Sequence, residues 1–241
     1  MTKARKTSRL FGLLALLAGL MAFSAIAAQA EPGAYWEVGG TKILNSGELL
    51  TEINARINTA HGILLTKSGL AVLEIDCTEI SLDKGLLHQL GRATGRINFT
   101  SCITRLNGSE ASKCRPHSPG AAEGTILTNS LEGLLKLHHP TLGDPEDVLE
   151  LKPEAAAGGV FVTIELGSGK CAIKGANITG VGFVKDVFNE HILINEIEHS
   201  FVEFKFLSKL LYGGNSATTD GSARTFLEGA HLNQEWSGHP A

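Results

Sequence analysis

Four cysteines are the residues whose type and spacing point most directly to chemistry in this chain. They stand at positions 77, 102, 114 and 171, separated by 25, 12 and 57 residues, and no C-x-x-C motif occurs. Structural zinc sites use close cysteine pairs or cysteines followed by spaced histidines, and thiol redox centres use C-x-x-C. An even number of widely spaced cysteines in an exported chain instead predicts disulfide bonds. We therefore expect two structural disulfides, with metal binding and free thiols as the alternatives.

The pairing of the cysteines is open to three possibilities, and strand alternation favours one of them. In "GLAVLEIDC" Cys77 falls on the apolar face of a strand, and in "KCAIK" Cys171 shares a face with Ile173. Cys102 ends the strand "GRINFTS" on the face opposite Ile97, and Cys114 precedes a proline at the mouth of a loop. The alternation predicts a bond between Cys77 and Cys171 across the core, and a bond between Cys102 and Cys114 that closes the loop.

Histidines and acidic residues near position 140 form the weak candidates for a metal site. His138 and His139 are adjacent, and three acids follow closely: Asp144, Glu146 and Asp147. Adjacent residues of a strand point to opposite faces, so both histidines cannot easily bind one ion. A solvated acidic turn is the competing interpretation. The chain contains neither an H-E-x-x-H motif nor a calcium-binding loop.

Two further features have a structural explanation and a functional alternative. "GSGK" at 167–170 lacks the first glycine of a phosphate-binding loop and the hydroxyl residue after the lysine, so it predicts a hairpin turn. Trp36 and Trp236 could line a carbohydrate or peptide groove, but with so few aromatic residues they are expected to anchor the core. We find no cofactor motif and no catalytic residues that the sequence alone would single out.

The first 30 residues have the pattern of a secretory signal peptide. A basic start, an apolar run from Leu10 to Ala28 and the "AQA" that ends at Ala30 predict cleavage after Ala30. A retained membrane anchor is the alternative, since the run is close to the roughly 20 residues of a membrane span. Cleavage would leave 17 basic and 25 acidic residues, a net charge of −8. This charge argues against binding to nucleic acid or to an anionic membrane.

Alternation of apolar and polar residues predicts the elements that hold these side chains in place. It indicates strands in "TEINARIN", "VFVTIEL", "CAIK" and "SFVEFKFLSKL", separated by glycine-rich turns. We predict one all-β domain over 31–241, an antiparallel β-sandwich or barrel stapled by disulfides. Two segments could be short helices, "SLDKGLLHQLGR" and "NSLEGLLKLHH", although the second could equally be a strand. Residues 138–159 are expected to form a long surface excursion.

The order of several short motifs resembles uncharacterised secreted proteins of soil bacteria, of the actinobacterial type. The motifs are "AYWEVGG", "LEIDCTEI", "RINFTSC", "KCRPHS", "GTILTNSLEGLLKL", "FVTIELGSGKCAIKGANITG" and "NSATTDGSARTFLEG". The resemblance runs from Trp36 to Trp236 and implies an exported, all-β, disulfide-containing domain. It implies no catalytic residues, and the segment 138–159 departs from the shorter connection of that group.

Two classes of function are consistent with the sequence. The first is a non-catalytic module, secreted or associated with the cell envelope, that binds an extracellular partner through loops on a rigid scaffold. The second is a secreted hydrolase, or a weak metal-binding protein, that uses histidines and acids around 138–147. The two classes differ in whether titratable side chains meet in one concave pocket.

Overall fold

The computed structural model describes residues 33–43, 51–56, 62–68, 71–138, 146–167, 171–185, 187, 197–201, 210–232 and 234–241. The predicted signal peptide lies outside these residues. Antiparallel strands make up most of the described chain, and its only helical elements are two short 3₁₀ turns, Ala155–Ala157 and Gly229–His231. The predicted all-β fold is confirmed, and its architecture is sandwich-like.

The strands are numbered in chain order. They are β1 (Tyr35–Val38), β2 (Thr41–Lys42), β3 (Thr51–Arg56), β4 (Gly62–Ser68), β5 (Ala71–His88), β6 (Arg92–Leu106), β7 (Ser109–Glu110), β8 (Pro116–His117), β9 (Ile126–Leu127), β10 (Leu131–His138), β11 (Glu146–Pro153), β12 (Val160–Leu166), β13 (Ala176–Thr179), β14 (Gly182–Lys185), β15 (Ile197–Phe201), β16 (Leu210–Tyr212), β17 (Asn215–Leu227) and β18 (Trp236–His239).

A large sheet and a small sheet contain all of these strands. The large sheet runs in the order β15, β14, β11, β10, β6, β5, β3, β17, β16, β13, β12, β8, and β15 also pairs with β17. Strand β4 pairs with both β5 and β17, while β7 and β9 pair with β6. The small sheet has the order β18, β1, β2, so it joins the segment near Tyr35 to the segment near His239.

The long hairpin of β5 and β6 passes through three apolar clusters in series. Leu73, Ile75 and Cys77 lie in a cluster that contains the disulfides, which we call the disulfide cluster. Ile80 and Ile97 lie in a middle cluster with Leu131. Leu87, by contrast, belongs to a cluster with Trp36 and Trp236, the tryptophan cluster. The β5–β6 hairpin therefore contributes residues to all three clusters.

Two irregularities reverse the inward face along this hairpin. Ser101 has a φ of 54°, and between Ile97 and Cys102 the buried positions change from odd to even numbers. In the other strand, β5, a register shift lies between Asp83 and Leu86, next to Lys84 with a φ of 56°. Beyond this shift, odd-numbered residues of β5 again face the interior. β-Bulges are a common cause of such reversals, because they place an extra or distorted residue in one strand.

Both segments that could have been helices are strands. Residues 81–88 continue β5, so the helical alternative does not hold there, and residues 131–138 form β10, the strand that the sequence also allowed. The leucines of the first segment stand at spacing four, which imitates a helical face, but the register shift between Asp83 and Leu86 interrupts the alternation there. This leaves Leu87 fully buried while Leu90, in the turn, is 46% exposed.

The predicted surface excursion at 138–159 is also wrong for part of its length. Residues 146–153 are strand β11, which pairs with β10 on one side and β14 on the other. Val148 is buried, and the neighbouring acid Glu150 is compensated by Lys136 and Lys152. One acid of the expected excursion, Glu150, is thus part of a charged ladder on a sheet. Residues 139–145 lie outside the described residues.

Candidate functional site: two adjoining apolar cavities

The disulfides are formed as predicted, but their pairing differs from the prediction. Cys77 is bonded to Cys102, with Cα atoms 4.0 Å apart, and Cys114 is bonded to Cys171, with Cα atoms 4.9 Å apart. No cysteine is free. The predicted bonds between Cys77 and Cys171 and between Cys102 and Cys114 are wrong.

Two local features explain the error. Regular alternation would place Cys102 on the face opposite Ile97, but the reversal at Ser101 turns it inward, directly across from Cys77 in the β5–β6 register. Cys171 does not lie in a strand, because β12 ends at Leu166 and its partner β13 begins only at Ala176. Cys171 therefore lies in the connection between them and is bonded to a second connection, at Cys114.

The candidate metal ligands do not form a site in the described part of the chain. His138 is paired with Glu146, and Asp147 with Leu137, in the β10–β11 register. His139 and Asp144 lie outside the described residues, as do residues 168–170 of the "GSGK" segment. Among the residues that can be described, no group of three or more histidine, cysteine, aspartate or glutamate side chains is placed to hold a metal ion.

A charged ladder covers the outer side of β10 and β11. Glu150 contacts Lys136 at 3.1 Å and also contacts Lys152. Burial opposes ionisation of Glu150, but the hydrogen bonds and charges of the two lysines outweigh it and hold its pKa below the usual range. Arg92 and Glu132 extend the ladder, 3.8 Å apart. The ladder brings three cationic and two acidic side chains together, and the pair between Lys136 and Glu150 links β10 to β11.

The first cavity lies inside the tryptophan cluster. Its volume is about 100 Å³, and its walls come from eight strands: β1, β5, β6, β10, β11, β14, β17 and β18. Apart from Thr94 and Thr225, the described side chains that line it are apolar. We call it the tryptophan cavity, because Trp36 and Trp236 both form part of its wall.

The small sheet closes one side of the tryptophan cavity. Trp36 is 1% exposed and Trp236 is 4% exposed, so the prediction that they anchor the core is confirmed. Trp36 Nε1 donates a hydrogen bond to the carbonyl oxygen of Arg92 at 2.6 Å, and the two tryptophan rings lie 5.8 Å apart. Gly238 permits this closure, because a Cβ there would lie 2.7 Å from the Trp36 ring. On its outer side, the Tyr35 ring stacks on His239 at 4.4 Å.

The second cavity lies inside the disulfide cluster. Its volume is about 80 Å³, and residues of β4, β5, β6, β9, β11, β12, β13, β14, β16 and β17 line it. Its described side chains are apolar except Thr128 and Thr219. The Thr128 hydroxyl already accepts a hydrogen bond from the Ile97 amide at 2.8 Å. We call this the disulfide cavity, since Cys77 forms part of its wall.

Ile97 and Leu151 line both cavities and so separate one from the other. Ile97 belongs to the middle cluster, and Leu151 packs against that cluster and against the tryptophan cluster. The two cavities thus follow the order of the clusters along the β5–β6 hairpin. They form one interrupted apolar space through the interior.

These cavities are large for a protein interior, which is normally packed as densely as an organic crystal. At about 24 cal/mol per Å³, enclosed and empty cavities of these volumes would cost at most about 2.4 kcal/mol for the first and 1.9 kcal/mol for the second. Water would not compensate this loss, since a buried water needs two to four polar partners. An apolar guest could compensate it, as apolar cavities of this order hold benzene or xenon.

Neither cavity offers the groups of a catalytic site. No histidine, aspartate, glutamate or serine is among the described residues that line them. Sequence reasoning did not find the cavities, because their walls come from residues as far apart as Trp36 and Trp236. A weak signal existed in Gly182, which lines the disulfide cavity and where an added Cβ would make only an ordinary contact, 3.5 Å from the Phe161 ring.

No helix in the described part of the chain is long and apolar enough to cross a membrane. Comparison with protein-family models, with curated proteins and with solved structures finds no match for this chain.

Proposed function

We propose that this protein is an exported, non-catalytic binding module that holds a small apolar ligand in its two interior cavities. The observation that carries the proposal is the pair of adjoining cavities, whose described lining is apolar except for four threonines. Export is supported by the predicted signal peptide and by the two disulfides, which persist in oxidising compartments.

The free energy of the empty cavities supports binding as the role. Enclosed, empty cavities of these volumes would together destabilise a fold by about 4 kcal/mol, a large part of the 5–15 kcal/mol by which domains are normally stable. A few additional methyl groups in the walls would remove this loss. A ligand that fills the space would restore the lost stability. The cavities therefore have a role if the functional form of the protein is the ligand-bound one.

The two tryptophans provide a direct assay. The chain contains only two, and both line the tryptophan cavity, so a guest there changes intrinsic fluorescence without a label. The mature protein, extracted with organic solvent and refolded, would be titrated with benzene and with 1-octanol. We expect a saturable fluorescence change and a higher melting temperature. At about 100 times Kd, binding would stabilise the fold by about 2.7 kcal/mol.

A matched pair of variants locates the binding. Val184 lines the tryptophan cavity, and Val184→Phe would fill it. Val148 is also buried, at 1% exposed against 8% for Val184, but it lines neither cavity, so Val148→Ile enlarges a buried side chain elsewhere. We expect Val184→Phe to abolish the fluorescence response and Val148→Ile to keep it. Absence of any response in the unaltered protein, together with no ligand in its solvent extract, would refute the proposal.

A further inference from the structure

We propose that the natural ligand is a single unbranched hydrocarbon chain that passes through both cavities, and that Ile97 and Leu151 select for it. This inference rests on the proposed function, because it names the chemical class that the same site accepts. It makes a separate claim about shape, and that claim can fail while the binding function stands.

The arrangement of the two cavities supports a chain over a compact ligand. Each cavity alone is small, at about 100 and 80 Å³, and the side chains of Ile97 and Leu151 stand between them. A fused-ring molecule large enough for both volumes would have to displace these two side chains. A chain of methylene groups has a small cross-section along its whole length, so it needs only a narrow opening between them.

The chemistry of the walls defines which part of the ligand is inside. The described lining residues include no charged side chain in either cavity. A charged group would lose its hydration there without gaining a partner, which is strongly unfavourable. The threaded part is therefore an uncharged aliphatic chain, and any charged or strongly polar head of the ligand remains outside the cavities.

Side-chain packing around the passage fits a neck that can widen. Leu151 is partly buried and packs at the boundary of two clusters. Ile97 is 5% exposed, and its backbone is held by Thr128 on the neighbouring segment. Because the backbone of Ile97 is held and Leu151 is only partly buried, rotation of the Leu151 side chain is the simplest way to open the passage between the cavities.

A series of 1-alkanols of increasing chain length tests this inference by calorimetry. Each methylene that enters an apolar site contributes about 0.8 kcal/mol, so affinity should rise about fourfold per carbon. We expect this rise to continue past the length that fills one cavity and to stop when both are filled. Cyclic alkanols with the same number of carbons should bind more weakly than the longest linear ones.

Two variants should shorten the chain length at which affinity stops rising. Ile97→Phe narrows the neck, while Gly182→Ala adds a methyl to the disulfide cavity. The added Cβ of Gly182→Ala would lie 3.5 Å from the Phe161 ring, an ordinary contact, so this variant should fold even if Ile97→Phe does not. Val148→Ile is the control and should leave the limiting length unchanged.

The possible outcomes separate the two proposals. If benzene binds but the limiting chain length is short and identical in the unaltered protein and in Gly182→Ala, the chain inference is wrong and the binding function stands. If neither benzene nor any alkanol binds and the solvent extract contains no ligand, both are wrong. A limiting length that falls in Gly182→Ala and is unchanged in Val148→Ile supports the threaded chain.

Discussion

The disulfide pairing gives the sharpest test of the fold, because two double variants have different expected outcomes. Cys77→Ala with Cys102→Ala removes one bridge and leaves the other intact. Cys77→Ala with Cys171→Ala removes one partner from each bridge and leaves two unpaired thiols. The two bonds span sequence separations of 25 and 57 residues. In the chain-entropy model these separations correspond to about 3.5 and 4.2 kcal/mol of stabilisation.

The magnitudes predict different fates for the two variants. Loss of the Cys77–Cys102 bond should lower the free energy of unfolding by about 3.5 kcal/mol, and by about 1 kcal/mol more for each buried sulfur removed. The remaining bond between Cys114 and Cys171 should still form. The mixed variant loses about 8 kcal/mol, which is comparable with the whole stability of a typical domain. We expect it to accumulate poorly or to be unfolded.

Urea unfolding and thiol titration would measure these effects. The first variant should titrate no free thiol and should unfold at a lower urea concentration than the unaltered protein. The mixed variant should titrate two free thiols, those of Cys102 and Cys114. If the mixed variant instead folds with a bond between these two cysteines, the register of β5 and β6 around Cys77 described above is wrong.

Three further predictions concern the core and the charged ladder. Val162→Ile adds a methyl to the disulfide cavity and should raise the free energy of unfolding by about 0.8 kcal/mol. Val148→Ile enlarges a buried side chain that lines neither cavity and should lower the free energy of unfolding by about 1–3 kcal/mol. Equal effects of the two variants in urea unfolding would contradict the presence of unfilled space beside Val162. The pKa of Glu150 is lowered in the folded state, so its contribution to the free energy of unfolding is present above the unfolded value of 4.5 and is lost as pH falls through the folded value. Glu150→Gln should therefore weaken the pH dependence of the free energy of unfolding in this range. An unchanged pH dependence would refute the role of the lysines. Burial raises the pKa of Tyr212 from 10.0 to about 12, so stability should fall as pH rises from 10 through 12, and urea midpoints of Tyr212→Phe should fall less over that range.

Strand content was predictable because inward and outward residues alternate in most of the chain. In β12 the buried residues Val162, Ile164 and Leu166 alternate with Thr163 and Glu165, as the sequence predicted. The pattern failed where the backbone changes its face without a sequence signal. Serine at position 101 has no strong preference for a positive φ, so its residue type does not predict the reversal in β6.

Charge patterns were misleading for a related reason. A run of acids before and inside β11 suggested a solvated turn, because a single sequence does not show the cations across the sheet. Lys136 on β10 lies in the adjacent register and compensates Glu150. The sequence alone does not show which residues of two neighbouring strands lie opposite each other. Ion pairs between the strands can therefore be identified only in the structure.

The Cys77–Cys102 disulfide and the charged ladder help to fix the walls of the two cavities. A wall that faces an empty space tends to relax into it, and this relaxation limits the energy an unfilled cavity can store. Cys77 forms part of the disulfide cavity and is bonded to its direct cross-strand neighbour, Cys102, which is fully buried. The bond holds β5 and β6 in register where both strands reverse their faces. Glu150 on β11 is also paired with Lys136 on β10, which helps to hold these two strands together, and β11 supplies Leu151. The cavity walls are thus fixed by bonds that do not depend on a ligand, and a guest that enters a preformed site has less ordering entropy to lose.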